Sequence, residues 1–302
     1  MAAIRLGLIG FGEVGRIFGA GLKPAVDWVG AWDTKLTSPV LCGEMRCAAA
    51  AHGVVACESM AALCREANLI VSAVTASQAL SVAQEASKHL QLDTVFLDLN
   101  SASPGTKQQA AALVDAVGGR YVEAGVMTSV PPYGIRVPML VGGPHAQTLL
   151  AELSSLGLDA KFASNKIGVA SATKMCRSVM IKGLEALVLE SYAAARHYGV
   201  EDAMLTTLQE TFPAIDWQRQ GSYFFSRVAQ HGQRRAEEMR EAANTVQEAG
   251  FEPCMASAIA SKQQWMADQA RVGLFKGLDS EAVWQDYADA LLAHRDPTPK
   301  DD

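Results

Sequence analysis

The feature that most constrains this chain is a glycine-rich turn near its start. The turn follows the apolar run Ile4–Ile9, precedes the helical pattern Glu13–Leu22, and has the spacing G-x-G-x-x-G in Gly10-Phe11-Gly12-Glu13-Val14-Gly15. Between a strand and a helix, the first glycine permits a tight turn and the second lets a phosphate approach the backbone. The third lets the helix pack closely on the strand. The segment therefore predicts a dinucleotide-binding turn.

The next predicted strand, Trp28–Trp32, is followed by an acidic residue, Asp33. A carboxylate at this place accepts a hydrogen bond from a ribose 2′-hydroxyl and repels a 2′-phosphate, so it favours NAD. Lys35 lies two residues on and suits a phosphate, so NADP stays open. The turn, Asp33 and Lys35 are the expected cofactor-binding residues. Three further candidates follow two later strands: Val74, Thr75 and Asn100.

Further apolar runs predict strands at Leu69–Val74, Thr94–Leu99, Tyr121–Ala124 and Pro138–Gly142. Helical segments separate them, which favours βαβ units and a doubly wound parallel sheet. From Ile167 to Tyr198 there is no proline, and the rest of the chain has helical patterning. The prediction is an α/β protein: a Rossmann domain at residues 1–165, then a long interdomain helix that opens an all-α substrate and dimerisation domain at residues 166–302.

Composition excludes several classes of protein. The formal net charge is −6 over 302 residues, which does not suit a nucleic-acid binder. No apolar stretch approaches the roughly 20 residues of a membrane span, and the N-terminus lacks a signal-peptide pattern. The six cysteines include no C-x-x-C pair, so reduced thiols in a cytoplasmic protein are expected and no metal site is.

One class of nicotinamide enzyme uses a Tyr-x-x-x-Lys dyad as its acid/base pair. That dyad is absent here, because no tyrosine has a lysine four residues later, so another residue must supply the acid/base group. Lys174, Arg177 and Ser178 share one face of the long predicted helix. Near a cleft, Lys174 would be placed for acid/base chemistry. The alternative is a lysine whose stem packs on the helix while its ammonium stays in water.

Several segments, taken together and in order, resemble the β-hydroxyacid dehydrogenase family, which includes 3-hydroxyisobutyrate and 6-phosphogluconate dehydrogenases. Besides the glycine-rich turn, they are Asp98–Pro104, Glu123–Val126, Pro138–Gly143 and Gly168–Lys174. The resemblance implies that Lys174 is the catalytic acid/base. It also implies a substrate loop at Asn100 and Ser101, and an NAD(P)-dependent oxidation of a small, carboxylate-bearing hydroxy acid or reduction of its carbonyl partner.

The chain departs from the family pattern at the residues that bind the substrate in the family. It therefore resembles a divergent branch of the family, with a C-terminal domain of its own. The remaining candidate substrate contacts are Val126, Met127, Thr128, Arg177, Ser178, His231 and Arg235. An imine reductase on the same scaffold and a dinucleotide-binding protein without turnover remain as alternatives. Analogy with the family also suggests a homodimer.

Overall fold

The computed structural model describes residues 3–279 and 281–294. Contacts divide the chain into two compact units. The first unit holds residues 1–176 and 244–251, and the second holds residues 177–243 and 252–302. Residues 166–176 and 244–251, which the sequence division put in the second domain, thus pack with the first unit. The division at 165/166 stays a prediction.

The first unit is built on one eight-stranded sheet. Its strands are β1 (Arg5–Ile9), β2 (Trp28–Trp32), β3 (Val55–Ala56), β4 (Leu69–Ser72), β5 (Val95–Asp98), β6 (Arg120–Val126), β7 (Met139–Gly142) and β8 (Ala160–Ser164). Their order is β3-β2-β1-β4-β5-β6-β7-β8. The order reverses between β1 and β4, which is where open α/β sheets bind ligands beyond the carboxyl ends of their strands.

Six helices connect these strands. They are α1 (Glu13–Leu22), α2 (Cys42–Ala51), α3 (Met60–Glu66), α4 (Ala79–Ser87), α5 (Pro104–Asp115) and α6 (Ala146–Ser155). The strands are apolar on both faces: Leu69 and Val71 enter one buried cluster, while Ile70 enters the other. Successive side chains of a strand point to opposite faces, so a doubly covered sheet needs such continuous apolar runs.

The long helix α7 (Val169–Tyr198) begins in the first unit and continues into the second. The second unit is helical, with α8 (Glu201–Thr211), α9 (Trp217–Glu248), α10 (Cys254–Arg271) and α11 (Trp284–His294). The last five residues of α9, 244–248, belong to the first unit. An aromatic core that includes Tyr192, Phe225 and Trp284 lies within the second unit.

The predicted fold class, a Rossmann sheet followed by a long helix and an all-α region, is confirmed. Two details differ. β7 pairs antiparallel with β6, and the strands β3 and β8 had no clear sequence signal. β3 has only two residues and β8 is partly exposed, so neither carries the apolar run that marks a buried strand. The sequence pattern also predicts a last helix at Ser280–Ala293, and its first residue, Ser280, lies outside the described residues.

Candidate active site

The glycine-rich turn joins β1 to α1 as predicted. Gly10 has φ +91°, and a Cβ there would lie 2.4 Å from the carbonyl oxygen of Ala73. A Cβ on Gly15 would lie 2.1 Å from the carbonyl oxygen of Gly10. In contrast, a Cβ on Gly12 would meet nothing within 4 Å. Packing therefore requires glycine at positions 10 and 15. Gly12 instead leaves open space at the N-terminus of α1, where backbone N–H groups favour a phosphate. The turn therefore fits a dinucleotide.

Of the other residues of the turn, Phe11 is buried, Val14 is half-buried and Glu13 is exposed. Asp33, at the end of β2, turns its carboxylate toward the backbone. Oδ2 accepts from the Phe11 N–H at 2.8 Å, and Oδ1 accepts from the Lys35 N–H at 2.9 Å. The side chain thus ties the glycine-rich turn to the segment that carries Lys35. The exposed Lys35 lies next to this cap.

The ends of β4 and β5 are joined by Asn100. Its Oδ1 accepts from the Val74 N–H at 2.7 Å, and its Nδ2 donates to Ser72 Oγ at 3.0 Å. Val74 in turn lies against Gly10, because a Cβ on that glycine would be 2.9 Å from Val74 Cγ1. Thr75 follows and is exposed. The structure therefore brings the turn and the ends of two central strands together at one edge of the sheet.

Lys174 reaches this edge from the first turns of α7. Its Nζ donates to Ser101 Oγ at 2.5 Å, and Ser101 directly follows Asn100. Lys174 is half-buried and Ser101 is 9% exposed. A hydroxyl and an amine at hydrogen-bond distance are suited to orient an oxygen-bearing substrate and exchange its proton.

Two residues of β6 position the start of α7. The fully buried Glu123 carboxylate accepts from the N–H groups of Gly168 at 2.8 Å, Ala170 at 3.1 Å and Ser171 at 3.3 Å. A negative charge at a helix N-terminus satisfies its free donors and complements the helix dipole. A Cβ on Gly125 would lie 2.9 Å from the Ala170 carbonyl oxygen, so glycine is needed for the close approach of helix and strand.

A buried ion pair lies behind the Asn100–Ser101 loop. Lys107 Nζ lies 3.0 Å from Asp98 Oδ1 and also donates to the Asp98 carbonyl oxygen at 3.0 Å. The Asn100 N–H donates to Oδ1 of the same carboxylate at 2.8 Å, and the Tyr121 hydroxyl donates to Oδ2 at 2.6 Å. Burial, followed by the charge of Asp98, raises the pKa of Tyr121 well above its ordinary value. The carboxylate therefore fixes the backbone of the loop that carries Ser101.

The C-terminal end of α9 caps α5 just after the same loop. Glu248 Oε1 accepts from Ser103 Oγ at 2.6 Å, and Oε2 accepts from the Gly105 N–H at 2.8 Å. Ser103 is itself the N-cap of α5. Residues 244–251 thus belong to the first unit because Glu248 binds Ser103 and Gly105, although the two segments lie far apart in the sequence.

The other predicted substrate contacts come from both units. Val126 is buried at the end of β6, Met127 is half-buried, and Thr128 is exposed. In the second unit Arg177 is exposed, and the buried Ser178 lies 3.4 Å from Lys182 Nζ. His231 is half-buried, while Arg235 Nε donates to Glu185 Oε2 at 2.9 Å. The substrate roles of all these residues stay predictions.

Sequence reasoning gave no role to Glu123, Asp98, Lys107 and Glu248, although the first two begin segments that carry the family resemblance. Two of them carry a usable signal, because Glu123 and Asp98 are carboxylates inside otherwise apolar strands. A buried charge must be paired or hydrogen-bonded, so such a residue indicates a partner brought by the fold. Lys107 and Glu248 lie on helices with ordinary polar neighbours and carry no comparable signal.

Within the described residues, no cluster of three or more His, Cys, Asp or Glu side chains is arranged to hold a metal ion. In the same part of the chain, no helix combines the length and the apolar character that crossing a bilayer requires.

Two known families match the chain. Residues 5–150 match the NAD binding domain of 6-phosphogluconate dehydrogenase, and residues 195–266 match a domain of unknown function, DUF1932. A conserved hypothetical protein from Sinorhizobium meliloti 1021 has a similar structure, with a TM-score of 0.74 and 35% identity, and 96% of each chain is covered.

Two further structures are similar. The conserved protein MTH1747, described as structurally similar to 3-hydroxyacid dehydrogenases, has a TM-score of 0.67 and 29% identity over 89% of this chain and 98% of its own. The 3-hydroxyisobutyrate dehydrogenase of Mycobacterium tuberculosis, determined with L-serine, has a TM-score of 0.69 over 89% of this chain and 95% of its own. At 17% identity, this last likeness concerns the fold alone.

Proposed function

This chain belongs to the 6-phosphogluconate dehydrogenase-like family of NAD(P)-binding proteins, in the branch with a DUF1932 C-terminal domain, and on that premise we propose that it is a dehydrogenase or reductase of small hydroxy acids. The observation that carries the proposal is the hydrogen bond from Lys174 Nζ to Ser101 Oγ. It puts an amine and a hydroxyl at the sheet edge that also carries the dinucleotide turn.

The residues that would hold the dinucleotide are those of the glycine-rich turn, Asp33, Lys35, Val74, Thr75 and Asn100. The open space over Gly12 supports this assignment. When bound, the nicotinamide supplies the acceptor or donor of a hydride. The protein's own residues must then hold the reacting oxygen and carry its proton.

In this proposal Lys174 takes the proton of the substrate hydroxyl during oxidation and returns one to the carbonyl oxygen during reduction. The Ser101 hydroxyl orients the same oxygen. Asp98 fixes the loop through the Asn100 N–H, and Asn100, besides being a candidate contact of the dinucleotide, ties the loop to the end of β4. Glu123 and Gly125 fix the start of α7 and with it the stem of Lys174.

The proposed substrate bears a carboxylate, and Arg177 suits such a group because its planar guanidinium binds carboxylates with two hydrogen bonds. Ser178 and His231 are further candidates from the sequence. Arg235 is the weakest of them, because its guanidinium already pairs with the carboxylate of Glu185, which is 1% exposed. A homodimer is proposed on analogy with the family.

The test starts from a screen of 2- and 3-hydroxy acids with NAD and NADP, followed by variants on the best substrate. Lys174→Ala is expected to lower kcat by about 100-fold or more, since a positioned acid/base contributes 10²–10⁴. Ser101→Ala removes one hydrogen bond and is expected to cost about fivefold. The matched control is Lys166→Ala, an exposed lysine just before α7, which should keep full activity.

Three outcomes contradict the proposal. Near-native turnover by Lys174→Ala would remove the acid/base role. Reduction of cyclic imines without activity on any hydroxy acid would favour the imine reductase alternative. Dinucleotide binding with no turnover of either class would favour a binding protein.

A further inference from the structure

The start of α5, residues 103–108, directly follows the loop that carries Ser101. Ser101 accepts from Lys174 Nζ, and it lies two residues before Ser103, the N-cap of α5. Ala102, between the two serines, is fully buried, and Ser103 is 1% exposed. Because a closely packed interior transmits strain, a shift of the start of α5 will move Ser101.

The start of α5 also contacts the segment from which α7 begins. Gln108 Nε2 donates to the Ile167 carbonyl oxygen at 3.3 Å, and a Cβ on Gly168 would lie 3.2 Å from Pro104 Cβ. Lys174 follows within the first two turns of α7. The start of α5 therefore borders both the loop of Ser101 and the beginning of the helix that carries Lys174.

A carboxylate from a distant part of the sequence holds the start of α5. Glu248, the last residue of α9, accepts from Ser103 Oγ at 2.6 Å and from the Gly105 N–H at 2.8 Å. A Cβ on Gly105 would lie 2.5 Å from Glu248 Oε1, so a larger residue there would displace the carboxylate. The negative charge lies at a helix N-terminus, where it satisfies free donors and complements the helix dipole.

The exposure of Glu248 limits its contribution to the stability of the fold. Glu248 is exposed, whereas Ser103 is buried. An exposed carboxylate keeps much of its hydration, so its hydrogen bonds add little to global stability. A reaction is more sensitive to a local shift than the fold is, because moving a reacting group by about 1 Å can lower a rate by about 100-fold.

We propose that Glu248 is a positioning residue of the candidate active site: by fixing the start of α5 it sets the distance between Ser101 Oγ and Lys174 Nζ. Glu248 acts through α5 and not by contact with a substrate. The inference rests on the proposed function, because it takes the pair of Ser101 and Lys174 as the group that handles the reacting oxygen.

Steady-state kinetics of the full chain, on the best hydroxy acid of the screen, test this role. Glu248→Ala removes both acceptors, so we expect kcat to fall by about tenfold or more while the Kd of the dinucleotide changes by less than about twofold. Glu248→Gln should recover at least about a third of the wild-type kcat, since its amide oxygen can accept from the Gly105 N–H while its NH2 donates to the Ser103 hydroxyl oxygen. The matched control is Glu252→Ala, an exposed glutamate four residues later, which should keep full activity.

A second variant separates positioning from stability. Gly105→Ala keeps Glu248 but places a Cβ where the carboxylate lies, so the carboxylate must move. Alanine favours a helix more than glycine does, so the Tm should not fall, whereas kcat should fall by about threefold or more. A Tm that falls together with kcat would indicate a purely structural effect and would contradict the inference.

Hydrogen exchange followed by mass spectrometry tests the same contacts without turnover. Glu248→Ala should speed exchange by about tenfold or more in peptides that cover residues 101–108 and 168–174. Peptides from β1 and α1 should exchange as in the wild type. If Glu248→Ala does not fold, Gly105→Ala supplies both the kinetic and the exchange measurement.

The outcomes distinguish this inference from the proposed function. A kcat of Glu248→Ala within about twofold of the wild type, a Glu248→Gln as damaging as Glu248→Ala, or unchanged exchange in the 168–174 peptides overturns the inference and leaves the dehydrogenase proposal standing. Faster exchange in both segments of a protein that turns over no hydroxy acid supports the positioning role and overturns the proposed function. Unchanged exchange in such a protein overturns both.

Discussion

The buried pair of Lys107 and Asp98 gives the sharpest prediction about what holds the candidate site together. Both side chains are 1% exposed, and the Asp98 carboxylate receives Lys107 Nζ, the Tyr121 hydroxyl and the Asn100 N–H. Lys107→Met keeps the length of the side chain and removes its charge. Breaking a buried pair from one side leaves an uncompensated charge and costs about 3–5 kcal/mol. For a unit of this size, that corresponds to a fall in Tm of roughly 6–20 °C.

Thermal and urea unfolding followed by circular dichroism measure this loss. In the double variant Lys107→Met/Asp98→Asn the unpaired charge is gone. The amide oxygen can take the place of Oδ1 and accept from the Asn100 N–H, while the amide NH2 takes the place of Oδ2 and donates to the Tyr121 hydroxyl oxygen. We expect the double variant to recover at least about 1 kcal/mol relative to the sum of the two single losses, as contacting residues do. A loss of unfolding free energy below about 1 kcal/mol for Lys107→Met, or strictly additive losses in the double variant, would refute the claim that Lys107 and Asp98 form a buried pair whose contributions to stability depend on each other.

Three further predictions follow from other contacts. Glu123→Gln should lower the free energy of unfolding by about 1.5–3 kcal/mol in urea titrations, because its carboxylate accepts from three backbone N–H groups, whereas the exposed Glu58→Gln should change little; equal effects would contradict the helix-capping role. Gly15→Ala should abolish dinucleotide binding in calorimetry, since its Cβ would meet a backbone oxygen, while Gly43→Ala, in open space within α2, should bind normally and gain about 0.5–1 kcal/mol; a binding-competent Gly15→Ala would contradict the tight turn. Burial raises the pKa of Cys57 to about 11 and of Cys64 to about 12, so a thiol reagent at pH 8 should label the exposed cysteines and spare these two until the protein unfolds. Because the folded pKa of each thiol lies above its unfolded value of 9.0, the stability that the two thiols contribute is complete below pH 9 and is lost as the pH rises toward 11 and 12. Early labelling of these two cysteines, or an alkaline stability profile that is unchanged when both are alanine, would contradict the prediction.

Local pattern predicted most of the first unit. The strand at Trp28–Trp32 and the helix at Glu13–Leu22 have the predicted bounds, and the bounds of the other predicted strands differ by one or two residues. These elements are marked by continuous apolar runs or by a spacing that only glycine can satisfy. The antiparallel pairing of β7 has no such mark, because the direction of a strand depends on the connection that leads to it.

The residues of the candidate site also differ in whether local sequence pattern identifies them. The glycine-rich turn and Lys174 were identified from spacing and from resemblance, and the structure brings them to one edge of the sheet through Val74, Asn100 and Ser101. Glu248 is at the opposite extreme. It lies 145 residues from Ser103 in sequence, and no local pattern indicates that the two side chains meet.

The sequence by itself determined the class of fold, the dinucleotide turn and the residue types available for chemistry, because these depend on short-range spacing and on the periods of helix and strand. Only the tertiary structure decided how the charges are used. It turned Asp33 toward the backbone, paired Lys107 with Asp98, and brought Glu248 to the start of α5. The physical reason is that the effect of a charge depends on its burial and on its nearest partners, and both are set by chain segments far apart in sequence.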